Sequence, residues 1–364
     1  MIAWRVLIYT IIITCFLMMY YIARVNRKTY LISKIKNKYL GLAISLIPIP
    51  LFVLGLYLDY VNAYIVALHF FFVILIGKII YNIIVKRKKK ISKYLLDYIL
   101  LTCIVITIGY LSYAYYVCHN VVETRYEVLA KKDIGVDSFR IVQITDSHIG
   151  ATMSGKKFGE YIDKINELNP DIVVITGDFV DDDTSFEDMI DATSSFSRLK
   201  TKFGTYFVFG NHDKGYYGTR SYDSKRLVEE LEKNNVDVLE DEGLLLTGNI
   251  YLYGRQDRQT KNRKSAQDIM KELDDKYYVV VLDHEPNDYE NEEESGMDLV
   301  ISGHTHGGQM FPLQIFELFG ANDKIYGIEE RGNTTFIVSS GIADWEVKFK
   351  TFTVSEYVVI DIKK

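Results

Sequence analysis

Cysteine, proline and tryptophan are scarce in this 364-residue sequence, with three, five and two copies. All three cysteines, Cys15, Cys103 and Cys118, fall in the first third. The rest of the chain therefore lacks thiols for a disulfide framework or a thiolate metal site, and its chemistry must use nitrogen and oxygen. Five Pro and 24 Gly are too few for a collagen-like or low-complexity chain. Acidic residues are nearly missing from residues 1–120, which hold 14 Lys+Arg against 2 Asp+Glu, whereas residues 121–364 hold 28 against 46. A block of net charge +12 followed by one of −18 excludes a single soluble domain. Two domains are expected, a transmembrane region over 1–120 and a second domain over 121–364.

The first block carries four apolar stretches, Trp4–Ala23, Tyr39–Leu58, Ala63–Val85 and Tyr94–Cys118. Each matches the roughly 20 helical residues that cross a hydrocarbon core, so this half reads as an all-α, four-helix membrane region. The first stretch is too long for a signal-peptide core and lacks an A-x-A site, so it reads as an anchor. Pro48 and Pro50 are expected to kink the second. Lys78 is expected to snorkel or to meet Asp97, and His69 to be a packed core residue. Basic residues crowd the connections at 24–38 and 86–93. Short basic loops stay cytoplasmic, which places an even number of spans with both termini, and the acidic domain, outside. The Lys86–Lys90 run is read as a topology determinant near anionic lipid, and no nucleic-acid partner is expected.

From Ser138 onward short β-branched runs alternate with amphipathic segments, which predicts an α/β domain. Strands are expected at Arg140–Thr145, Asp171–Thr176, Thr205–Phe209, Tyr278–Leu282 and Asp298–Ser302, and helices at Gly155–Leu168, Phe186–Leu199 and Ser224–Lys233. Five of the seven histidines, His148, His212, His284, His304 and His306, come directly after such strands, as do Asp146, Asp178 and Asn211. Loops at the carboxyl ends of neighbouring strands converge on one edge of the sheet. Imidazole and carboxylate without thiolate suit divalent Mn, Fe or Zn, and paired cations hydrolyse phosphate esters. Asp182, Asp183 and Asp213 are expected to be solvated loop residues or weak supporting partners, Glu290–Glu294 a solvated acidic turn, and Asp283 and Glu285 to flank His284 without a role.

Asp146-x-His148, Gly177-Asp178-x-x-Asp181, Gly210-Asn-His-Asp213, the lone His284 and Gly303-His-x-His306 stand at these strand ends in one order. This order resembles the calcineurin-like metallophosphoesterases, and Gly303-His-Thr-His-Gly-Gly-Gln309 is similar to their membrane-associated bacterial YkuE-type branch. The resemblance covers about residue 139 to the C-terminus. It implies a two-sheet α/β/β/α sandwich with two divalent metal ions at the strand ends, manganese favoured. One ion would take Asp146, His148, Asp178 and His306, the other Asp178, Asn211, His284 and His304, with Asp178 as the bridge. His212 would contact the substrate phosphate, beside Asn211, and protonate the leaving oxygen, with Asp181 orienting it. The activity so implied is hydrolysis of a phosphate ester or pyrophosphate outside the cytoplasm. A lipid-linked substrate, such as a phospholipid or a diacylated sugar nucleotide, is favoured by tethering to the bilayer. The alternatives are a hydrolase of soluble nucleotides or phosphodiesters, and a non-enzymatic metal-binding membrane sensor.

Overall fold

The computed structural model describes residues 2–88, 90–215, 219–311, 314–315 and 322–364, in two compact units, Met1–Ala114 and Tyr115–Lys364. In the first, the long helices α1 (Ile2–Asn26), α5 (Tyr60–Arg87) and α6 (Leu95–His119) are long and apolar enough to cross a membrane. The second expected span is instead two helices, α3 (Lys38–Leu46) and α4 (Pro48–Leu58), each shorter than a span. Proline has no N–H to continue the helical ladder and clashes with the preceding turn. Ile47 between them keeps helical angles (φ −48°, ψ −38°), so the pair is a helix broken at Pro48. A short helix α2 (Tyr30–Ser33) lies between α1 and α3.

Cys15, Met18, Ile22, Ala67, Ile74 and Cys103 form the core of this unit. Large apolar side chains such as Ile13, Leu17, Ile76, Val105 and Ile106 face outward, as suits a bundle whose solvent is lipid. Asp97 does not meet Lys78. Its carboxylate accepts from the N–H groups of Tyr30 (2.8 Å) and Leu31 (3.0 Å) at the start of α2, and Lys78 Nζ lies 4.1 Å from the Tyr81 ring centre. His69 is satisfied inside the bundle, with Nδ1 2.7 Å from the Ile65 carbonyl.

The second unit is built from two six-stranded sheets. One has the order β1 (Val121–Leu129), β12 (Ser355–Lys363), β2 (Ser138–Ile144), β3 (Ile172–Thr176), β4 (Thr205–Val208), β5 (Val236–Val238). The other runs β10 (Gly327–Arg331), β11 (Thr334–Val338), β9 (Leu299–Ser302), β8 (Tyr278–Leu282), β7 (Ile250–Gly254), β6 (Glu242–Thr247). Strands β2 to β5 are mutually parallel, as are β7, β8, β9 and β11.

Period-2 alternation divides each strand between two cores. Ile172 and Val174 of β3 meet Leu252, Val280 and Ile301 between the sheets. Val173 and Ile175 face α7 (Gly155–Glu167), α8 (Phe186–Ser195) and α9 (Ser224–Lys233) through Phe158, Ile162, Met189 and Leu231. On the far side α10 (Ala266–Lys271) and α11 (Tyr289–Glu294) cover the second sheet through Ile269 and Tyr289. The result is an α/β/β/α sandwich. Residues 290–294, read as a solvated turn, belong to α11, and Glu292 is buried beneath it.

Candidate metal and acid–base site

Parallel strands β2, β3 and β4 end side by side, and β8 and β9 of the facing sheet end against them, so the five polar motifs gather at one rim. Glycine permits the crowding. A Cβ on Gly303 would overlap the side chains of Thr145 and Asp146, and one on Gly210 would overlap Asp178. Five residues at the rim adopt left-handed backbone, Asp146 (φ 51°), His148 (35°), Asp178 (50°), His304 (71°) and His306 (49°). Such angles are uncommon outside glycine and concentrate where function holds the chain.

Two clusters emerge, with a third group of His148, Asp181 and His212 beside the first. Asp146, His148 and His306 present ligand atoms within 4.8 Å of one another, and so do Asp178, His284 and His304. In the first, His148 Nδ1 is 3.0 Å from Asp181 Oδ2 and His306 Nδ1 is 3.1 Å from Asp344 Oδ1. Each carboxylate fixes the proton on Nδ1 and turns the other nitrogen inward. His306 Nε2 then faces Asp146 Oδ1 at 3.7 Å, and His148 Nε2 faces Asp178 Oδ2 at 3.8 Å. His148 Nε2 is buried and has no hydrogen-bond partner.

In the second cluster His284 Nδ1 sits 2.7 Å from the Thr176 carbonyl. Its Nε2 lies 3.1 Å from Asp178 Oδ2 and 3.2 Å from Asn211 Oδ1, and that Asn211 oxygen is 2.9 Å from His304 Nδ1. Asp178 Oδ1 is held by the His212 N–H at 2.8 Å, which leaves Oδ2 to face both clusters.

The electrostatics follow from buried carboxylates. Burial pushes the Asp178 carboxyl up, but the charges of His284 and His148 outweigh it and hold it well below the usual carboxylate range. Burial lowers His284, while Asp178 and Asp146 more than reverse this and keep its proton bound. Burial and the neighbouring charge of His284 push His304 down to about 4, leaving it neutral with a free lone pair.

His212 lies outside these two clusters, in the third group with His148 and Asp181. Its Nδ1 is 3.0 Å from Asp181 Oδ1, so Asp181 holds His148 with one oxygen and His212 with the other. Burial lowers His212, yet the Asp181 hydrogen bond and the Asp178 charge raise it to about 9. A cavity of about 430 Å³ opens over the site, lined by Asp178, His212, His304 and His306 and by Trp345 and Val347.

Three supports have roles the sequence reading missed. Asp344 is fully buried and pairs with the equally buried Lys350 Nζ at 3.1 Å as well as with His306. Asp213, expected as a solvated loop residue or a weak supporting partner, is a fully buried support and accepts from the N–H groups of Asp178 (2.8 Å), Phe179 (2.8 Å), Val180 (3.1 Å) and Gly210 (2.8 Å). It fixes the turn that carries Asp178. Asp283, next to His284, lies 2.8 Å from Arg255, which also meets Glu292 at 2.8 Å and Asp288 at 2.9 Å. Asp182 is half-buried, Asp183 exposed and Glu285 buried, and none belongs to either cluster.

The donor set fits divalent cations. Ligand atoms about 2.0–2.2 Å from one ion are spaced about 3–4 Å apart, as the inward-facing atoms here are. Without a cation the proton on His284 Nε2 lies between the acceptor oxygens Asp178 Oδ2 and Asn211 Oδ1, and a divalent cation bound there would displace it and take the same three atoms.

Residues 139–308 match the family model for calcineurin-like phosphoesterases. The chain is 31% identical over 239 residues to the metallophosphoesterase Cj0846 of Campylobacter jejuni, which spans 64% of this chain and 60% of that protein. It is 27% identical over 262 residues to the metallophosphoesterase YkuE of Bacillus subtilis, with 70% and 90% covered. It is 28% identical over 241 residues to the transmembrane protein with metallophosphoesterase domain of Danio rerio, with 63% and 54% covered. The chain thus spans about three fifths of the first relative's length and about half of the last.

Proposed function

We propose that the chain, whose residues 139–308 match the calcineurin-like phosphoesterase model, is a membrane-anchored hydrolase of phosphate ester or phosphoanhydride bonds, working with two divalent cations. The contacts of Asp178 Oδ2 with both clusters, 3.8 Å to His148 Nε2 and 3.1 Å to His284 Nε2, carry this reading. Asp146, His148, Asp178 and His306 would hold one cation, and Asp178, Asn211, His284 and His304 the other, with Asp178 shared and manganese the favoured metal. Bound there, the pair supplies Lewis acidity toward the phosphoryl oxygens and lowers the pKa of water. Asp178 bridges. His212, kept protonated by Asp181, contacts the phosphate and donates its Nε2 proton to the leaving oxygen, while Asn211 also borders the phosphate.

The active domain is assigned to the extracytoplasmic side. Helices α3 and α4 together cover residues 38–58, about 31 Å at 1.5 Å per residue, enough to cross. With that crossing the basic connections 24–38 and 86–93 share the cytoplasmic side and both termini lie outside; without it they would be on opposite sides, against the positive-inside bias. Tethering beside a bilayer favours a lipid-linked phosphate over a soluble nucleotide.

The test uses the full chain in detergent, stripped with chelator and reloaded with Mn²⁺, acting on nitrophenyl phosphate and its diester. Hydrolysis that vanishes on stripping and returns on reloading is expected. Metal binding without hydrolysis of any phosphate ester would leave the sensor role instead.

A further inference from the structure

The segment after the Gly303-His-Thr-His306 motif is laced to the loop before β12. Buried Gln309 donates from Nε2 to the carbonyls of Val347 (3.0 Å) and Phe349 (2.9 Å). The Thr351 N–H returns to the Gln309 carbonyl at 3.0 Å, and the Phe311 N–H donates to Thr351 Oγ1 at 3.0 Å. Gln314 Nε2 adds a bond to the Thr351 carbonyl at 2.6 Å. This frame is polar inside and apolar outside. Phe352 is 79% exposed, Phe311 48%, Ile315 43% and Trp345 40%. The rings of Phe311 and Phe352 meet edge to face at 6.5 Å, and Phe352 is held at φ 66°. A phenylalanine displayed to solvent from strained backbone adds nothing to the core, and clustered apolar exposure marks a binding surface.

The same loop holds the last turn of α6. Cys118 Sγ donates to Asp344 Oδ2 at 3.1 Å, Ser355 Oγ donates to the Cys118 carbonyl at 2.7 Å, and the Tyr115 ring lies 6.3 Å from that of Phe349. Tyr115 and Tyr116 are 49% and 61% exposed. Tyrosines at the end of a span commonly mark the headgroup level, and Tyr115 stands against Phe349 of this loop.

We propose that Phe311, Ile315, Trp345 and Phe352 form an aromatic lip lying in the bilayer interface, so that the cavity walled by Trp345 and Val347 receives a phosphate borne on a lipid. The lipid substrate rests on the phosphoesterase reading; the contact with the bilayer does not. Aromatic side chains suit the interfacial depth, Trp345 with an apolar body and one polar end.

The sequence has two tryptophans, Trp4 and Trp345, so W4F leaves Trp345 as the sole reporter. The full W4F chain is reconstituted in phosphatidylcholine vesicles with or without brominated acyl chains. Brominated chains should at least halve Trp345 emission, and Phe311→Ser with Phe352→Ser should relieve most of that quenching. In parallel, the Mn²⁺-loaded chain is given hexadecyl phosphate in the vesicles and butyl phosphate in solution. The ratio of the two rates should exceed tenfold and fall toward one in the double variant. An unquenched Trp345 overturns the lip even if both esters are cleaved. A Trp345 shielded from brominated lipid and aqueous iodide alike, together with a cross-linked dimer, also overturns it by placing a second copy there. Quenching with no hydrolysis of either ester upholds the lip and refutes the phosphoesterase reading and its lipid substrate.

Discussion

Asp344 Oδ1 stands 3.1 Å from Nδ1 of His306, and this contact decides which nitrogen of His306 faces Asp146. Burial pushes the Asp344 carboxyl up, but Lys350 and His306 hold it below the ordinary carboxylate range. Asp344→Asn removes the charge that fixes this tautomer. Loss of such a support commonly lowers metal affinity by about 10–100-fold, and calorimetric titration of the stripped chain with Mn²⁺ should show one site weakened by that factor. Two unchanged sites would refute the role.

Asp178 faces both clusters through a single oxygen. Asp178→Asn should therefore lower occupancy of both cations and abolish hydrolysis together, as read by elemental analysis and nitrophenyl phosphate turnover. Two ions retained per chain would remove Asp178 from the bridge.

His212 belongs to neither the Asp146 nor the Asp178 cluster but to a third group with His148 and Asp181, and Asp181 orients its ring. His212→Ala should keep metal content near that of the parent chain and lower turnover by about 10²–10⁴-fold, the usual reach of acid–base catalysis. The loss should be larger for an alkyl ester than for nitrophenyl phosphate, whose leaving oxygen needs little protonation. Equal losses on both esters would argue against proton donation.

Histidine 212 also predicts a pH dependence. Without cations its folded-state value is raised to about 9, against about 6.5 in an unfolded chain. A raised value stabilises the fold fully below about 6.5, and that contribution fades as pH climbs through about 9. Chelator-treated protein should lose melting temperature across this window, and His212→Ala should flatten the slope.

Beneath α11, Arg255 is 3% exposed and pairs with Asp283 and with Glu292, whose carboxyl is pushed well above the usual range by burial and the Asp283 charge. Arg255→Ala leaves buried Glu292 without its cation and Asp283 with Arg263 alone, and should destabilise the domain by about 3–5 kcal/mol, measured by denaturant unfolding of the metal-loaded chain. An unchanged midpoint would mean that the pair can be protonated or hydrated cheaply.

The rim was readable because Asp, His and Asn stand directly after β-branched runs, a pattern that local sequence records. Asp344 was not. It lies 38 residues beyond His306, in a loop with no periodicity, and the N–H groups of Ile342 and Ala343, bonded to the Thr145 and Asp146 carbonyls, bring it to the rim. Asp213 was visible as a residue but underrated, since nothing local shows that four N–H groups will converge on it. Strand β1 escaped because Val121–Leu129 alternates charged and apolar residues along a half-exposed edge. Pro48 did announce the break in the second apolar stretch.

The left-handed backbone at five rim positions narrows the alphabet open to evolution there. Asp, Asn and His tolerate positive φ far better than longer or β-branched side chains. Glutamate, although a good oxygen donor, would carry an extra conformational penalty of about 1 kcal/mol or more at each such position. A drift toward other metals would thus have to remodel the main chain before it could exchange the ligands, so the backbone itself guards the chemistry of the centre.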